Sequence, residues 1–183
     1  MSEYDDIRRQ YRPNKVRWLL IAESPPPGPD FGGSRHFYRD TPPRPDDRVF
    51  NNTIKALYGD AEGQNDQELQ EHKAEWLKQL QADGLYMIEA LEESQAHQVT
   101  KKQRQERIAV ALPRLIERVK QLATPETGLV LIKSNVFDVA AEPLQQAGFK
   151  VLNQKLVDYP GVYNQTAYRQ KLAALLKADG WTN

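Results

Sequence analysis

The sequence predicts an α/β protein, a three-layer α/β/α sandwich around a central, mostly parallel, four-stranded sheet. Three observations predict it. Short apolar runs rich in β-formers recur at residues 16–22, 85–88, 129–132 and 149–152. Helical spacings separate these runs, and such alternation means parallel strands joined by right-handed crossovers, with helices on both faces. The first run, VRWLLIA, shows no polar alternation and reads as a strand buried on both sides.

The composition sets outer bounds. The 183 residues suit a single domain, 1–183, with 1–14 as an N-terminal extension. Twenty-five basic and 25 acidic side chains cancel and are spread evenly, so no segment forms a polyanion-binding arm. The absence of cysteine removes disulfides, thiol nucleophiles, iron–sulfur clusters and cysteine-bound zinc. A charged N-terminus without an apolar core, and no long apolar run, predict a cytoplasmic chain with no membrane partner.

Taken in order, residues 1–14 place Ile7 and Tyr11 at helical spacing, and Pro13 stops that helix. After the first strand, Pro25, Pro26 and Pro27 lack the N–H that a ladder needs, so the backbone leaves the sheet at Glu23 and Ser24. Residues 25–47 hold seven prolines and three glycines. So long an irregular stretch is usually functional or disordered, and the SRHFYR segment at its middle argues for order. Phe50, Ile54, Leu57 and Tyr58 predict a helix that Gly59 stops. Asn65 and Glu68 make a capping-box pattern for a second helix that buries Leu69, Trp76, Leu77 and Leu80. Gly84 opens the second strand, which ends at Glu89. Thr100 and Gln103 cap a third helix carrying Ile108, Leu112, Leu115, Ile116, Val119 and Leu122; Pro113 within it predicts a kink or a restart. Residues 124–128 turn into the third strand. A helix over 136–147, interrupted by Pro143 and closed by Gly148, precedes the fourth strand. A turn at 158–161 leads to a last helix on Tyr168, Leu172, Leu175 and Leu176, which Gly180 ends.

Several chemistries have no motif here: the phosphate loop, the dinucleotide turn, the H-E-x-x-H zinc site and the G-x-S-x-G elbow. His72 and His97 have no partner at metal-ligand spacing and read as solvated side chains, so neither metal nor cofactor is expected. The remaining polar residues gather at strand ends. Glu23 and Ser24 follow the first strand and Glu89 the second; Lys133, Ser134 and Asn135 follow the third, and Asp158 and Tyr159 the fourth. Ligands of open parallel sheets sit outside these ends. With Phe37 and Tyr38 folded over the top, a flat ligand suits the place, since aromatics stack on a ring and carboxylates or amides read its edge. Ser134 is also expected to cap the helix behind it.

LLIAESPPP, followed by an aromatic loop and the helix at Phe50, resembles the first motif region of the uracil-DNA glycosylase superfamily. LYMIEA resembles the strand that carries that family's base-reading residue, LVLIKSN its third strand, and DYPGVYN its last motif with a minor-groove loop. The resemblance implies DNA or a nucleobase as ligand. It implies Glu23 and Ser24 as the water-handling pair, and Phe37 or Tyr38 as the stacking ring. Glu89, Lys133, Ser134, Asn135 and Tyr159 would contact the substrate. The departures are as informative. Ser24 stands where the family has a water-activating Asp or Asn, Tyr159 where it has a histidine, and Glu89 where it has a base-reading asparagine. A carboxylate only accepts, so an ionised Glu89 suits a base presenting two N–H groups better than uracil.

Three functions fit the sequence. One is a base-excision hydrolase of altered specificity, with Glu23 orienting or activating water. Another is a non-catalytic module binding a nucleobase, nucleotide or nucleic acid on the same fold. The third is an interaction domain in which Glu23, Glu89 and Asp158 are solvated loop residues with no shared cavity.

Overall fold

The computed structural model describes residues 3–26, 36–94 and 99–182, with Glu3 and Tyr4 described by their backbone alone. Pro27, Ser34, Arg35 and His97, singled out above, lie outside these residues. Four strands, β1 (Trp18–Ala22), β2 (Leu85–Glu89), β3 (Gly128–Leu131) and β4 (Lys150–Val151), form one sheet in the order β2-β1-β3-β4. Every pairing is parallel. Ala22 lies opposite Glu89 and Ile21 opposite Leu131, so the three long strands end level with one another. All side chains of β1, β2 and β3 are buried, as strands covered on both faces require. The fourth strand is shorter than its apolar run suggests, and Ile132 bridges to Val157 beyond it.

Helices α1 (Glu3–Gln10), α2 (Arg48–Leu57), α3 (Asp66–Glu71), α4 (Lys73–Asp83), α5 (Lys101–Leu122), α6 (Ser134–Gln146) and α7 (Gln165–Ala178) complete the α/β sandwich. α2 packs against α7, and α5 against α6. Both capping boxes form: Asn65 accepts from the Glu68 N–H, Thr100 accepts from the Gln103 N–H, and each reciprocal side-chain bond is made. Gly84 ends α4 at φ 89°, a left-handed turn in which a Cβ would stand 2.9 Å from Arg17 Cγ. The tryptophans of the two chain ends meet edge to face at 5.0 Å. Trp18 donates to Asp179, and Trp181 donates to the Leu57 carbonyl, which ties the end of α7 to β1 and α2.

Three helix expectations are corrected. The helix begun at Asn65 is broken at His72 into α3 and α4, and the break falls just before Lys73, whose side chain is fully buried. α5 runs through Pro113 without a restart. Pro113 and Ala109 are both exposed, so water can reach the carbonyl that the proline leaves unbonded. α6 likewise runs through Pro143 and begins two residues before its predicted start. No helix among the described residues is long and apolar enough to cross a membrane.

Candidate functional site

The strand order fixes the place of the site. From β1 the chain passes to β2 on one side, and from β3 it passes to β4 on the other. Adjacent parallel strands that send their connections in opposite directions leave a crevice at their carboxyl ends, where ligands of such sheets bind. A cavity of about 320 Å³ opens there. Glu23, Ser24, Phe37, Glu89, Lys133 and Tyr159 all line it, joined by Met87, Arg48 and Arg104.

Glu23 is the most heavily bonded side chain in the cavity. It is 6 % exposed. Oε1 accepts from Arg104 Nη1 at 2.7 Å, Oε2 accepts from Asn135 Nδ2 at 2.5 Å, and Lys133 Nζ lies 3.0 Å from Oε2. Burial alone would raise its pKa. The bonds from Asn135 and Lys133, the Lys133 charge and the bond from Arg104 outweigh burial and hold the carboxyl below its ordinary value. A carboxylate held ionised by three donors is a weak proton acceptor and a firm anchor.

Lys133 sits at φ 78°, ψ 141°, the one described non-glycine residue with positive φ. Such strain persists only where the surroundings enforce it, and it concentrates at functional sites. Here the Lys133 N–H is held by the Val157 carbonyl at 2.9 Å, while the ammonium reaches Glu23 and lies 5.6 Å from the centre of the Tyr159 ring. The conformation makes Lys133 itself the residue that precedes α6. Ser134 is the first helical residue and does not cap, contrary to expectation.

Glu89 closes the β2 side and is 3 % exposed. Its Oε2 accepts from Arg8 Nη1 at 2.6 Å, and its Oε1 lies 3.8 Å from His36 Nε2. Burial raises the Glu89 pKa, and the charge of Arg8 opposes that rise. Phe37 forms an aromatic wall, set edge to face against Phe50 at 5.5 Å and Tyr38 at 5.0 Å. Tyr38 itself lies behind Phe37. Its hydroxyl accepts from the Met87 N–H at 2.6 Å and lies 3.2 Å from the Met87 carbonyl, so it fastens the loop to β2 and is not part of the lining.

The loop is held from beneath by a pair the sequence did not announce. Lys73 donates to Asp47 at 2.6 Å and to the His36 carbonyl at 3.2 Å, with its ammonium 4.6 Å from the Phe50 ring centre. Asp47 also accepts from the Phe50 N–H as the N-cap of α2. Arg8, Lys73 and Arg104 were not singled out from the sequence. The Thr100 cap marks the helix that carries Arg104, but a helix start does not name the partner of a charge on it. Asp158, at the fourth strand end, pairs with Lys171 at 2.6 Å and stays out of the lining. Among the described residues no three His, Asp or Glu side chains are grouped to hold a metal.

No model of a known protein family matches the chain, and no curated protein matches it in sequence.

Proposed function

We propose that the strand-end cavity receives a nucleobase and that the chain is a divergent, cytoplasmic, nucleic-acid-binding relative of the uracil-DNA glycosylases. The observation that carries this reading is the pairing of one aromatic wall, Phe37, with one buried acceptor, Glu89, in a single cavity. Its volume of about 320 Å³ falls within the range of small-ligand pockets, about 300–1,000 Å³. Glu89 Oε1 would accept from ring N–H groups, so the reading favours a base with a guanine-like edge over uracil. The cationic side chains of Lys133 and Arg48 would meet the phosphates. Past Tyr159 on the same loop, Val162 and Tyr163 are exposed, Tyr163 at 94 %. Apolar side chains so placed would support a base stack opened by extrusion of the target base.

A second reading, hydrolysis of the N-glycosidic bond, is favoured by the lone-pair site that Glu23 retains beside two cations. The carboxylate would orient water, and the Lys133 ammonium would stabilise the departing base as an anion. The test of binding is a thermal-shift screen against free bases, nucleosides and short oligonucleotides bearing uracil, hypoxanthine, xanthine or an abasic site. A rise in Tm with one base class, lost in Phe37→Leu and reduced in Lys133→Ala, is the expected result. No shift with any of these compounds overturns the proposal. Hydrolysis is tested by alkaline cleavage of the oligonucleotide that binds, where abasic product must form and must disappear in Glu23→Gln.

A further inference from the structure

A second and larger cavity, of about 520 Å³, lies on the β2 edge of the sheet between α1 and α5. It is separate from the strand-end cavity and is dominated by guanidinium groups: Arg8, Arg9, Arg12, Arg114 and Arg118 line it. The carboxylates of the same groove are already engaged. Asp5 pairs with Arg8, Glu92 with Arg114, and Glu117 with Lys120 at 2.7 Å. Arg9 and Arg12 have no carboxylate partner among the described residues; Arg12 spends one N–H on the Gln121 carbonyl at 3.1 Å. Arg118 is largely buried, donates to the Glu89 carbonyl oxygen at 2.9 Å and meets Glu92 only at 3.8 Å. Burial first, and then the charge of Arg8, pull its guanidinium below the ordinary value. The charge of Arg8 thus bears directly on Arg118, a cost that a bound anion relieves.

We propose that this groove is an anion site that takes a small molecule carrying a phosphate or polyphosphate group. Guanidinium forks match phosphate oxygens two at a time, and the groove is lined by Arg8 and Arg9 from α1, Arg12 just beyond it, and Arg114 and Arg118 from α5. The volume favours a small molecule over a polymer backbone, which would need an extended basic track. The site is independent of the nucleobase reading, because it shares none of that cavity's lining residues.

The test is isothermal titration of the full chain with inorganic pyrophosphate at low ionic strength. Saturable binding is expected, weakened about tenfold in the double variant Arg9→Ala, Arg12→Ala, a loss equal to about one charged hydrogen bond. Arg114→Ala, on an exposed side chain of the opposite wall, weakens it as well. Lys78→Ala, an exposed cation of α4 that lines neither cavity, leaves it unchanged. Heats that fail to saturate overturn the proposal. So does loss in Arg48→Ala with retention in the double variant, which would move the anion to the other cavity. A single-stranded oligonucleotide that displaces pyrophosphate from the groove overturns the small-molecule assignment.

Discussion

Arg8, on the first helix, donates to Glu89 at the end of β2 at 2.6 Å across 81 residues of chain. This pair is the partition between the two cavities. Arg8 lines the groove on the sheet edge, and Glu89 lines the cavity at the strand ends. The helix read from sequence as an N-terminal extension is therefore tied to the wall of the candidate site.

Removing one member of a buried ion pair strands the other in a medium that solvates it poorly. Arg8→Met is expected to cost about 3 kcal/mol, with Glu89→Gln in the same chain restoring most of the loss. Urea denaturation of the two variants measures both effects. A cost below about 1 kcal/mol would mean that solvent reaches the pair and that the partition is open.

Lys73 and Asp47 form a second buried pair, with side chains 0 % and 2 % exposed. Lys73→Met is expected to destabilise by about 3 kcal/mol and to loosen the loop that carries Phe37. The partly exposed pair of Lys55 with Asp66, at 2.7 Å, is the control. Lys55→Met is expected to cost less than about 1 kcal/mol because water screens it. Equal losses in the two variants, read from denaturation midpoints, would show that burial is not what gives the inner pair its weight.

His36 is 1 % exposed and neutral in the folded chain. Burial, and then the charges of Arg8, Lys73 and Arg39, push its pKa down to about 3. The unfolded chain takes up a proton near pH ~6.5, and the folded chain does not until about pH 3. Stability is therefore fully present above ~6.5 and falls with pH by up to about 1.4 kcal/mol per unit. His36→Gln is expected to flatten that part of the profile. Glu23 acts lower on the scale: its depressed pKa gives stability above the ordinary carboxylate value that is lost as pH falls through the folded value. Denaturation midpoints taken from pH 3 to pH 8 separate the two, and an unchanged slope in His36→Gln removes the histidine from the account.

Much of the fold was legible because its causes are local. The Asn65 and Glu68 box and the Thr100 and Gln103 box each close within four residues, so the pattern that predicts them also makes them. The runs at 16–22 and 129–132 could be read as doubly buried strands because Arg17 alone interrupts them and no polar alternation develops. The prolines misled for the opposite reason. Whether Pro113 breaks a helix depends on what surrounds the carbonyl it leaves unbonded, and that is settled by exposure rather than by sequence.

The candidate site divides the same way. By itself the sequence determined that Glu23, Glu89, Lys133 and Tyr159 follow successive strands, and parallel strands deliver their carboxyl ends to one edge. It determined too that an aromatic loop lies near them. Only the tertiary structure decided which charges meet there. Arg104 and Asn135 reach Glu23 across 81 and 112 residues, and Lys73 reaches Asp47 across 26. It also decided that Phe37 faces the cavity while Tyr38 turns behind it to bond Met87. The physical reason is one of range. Hydrophobic period and capping act within a few residues, so they are written into local sequence. The partner of a long charged side chain is chosen by helix packing, and no local pattern records that choice.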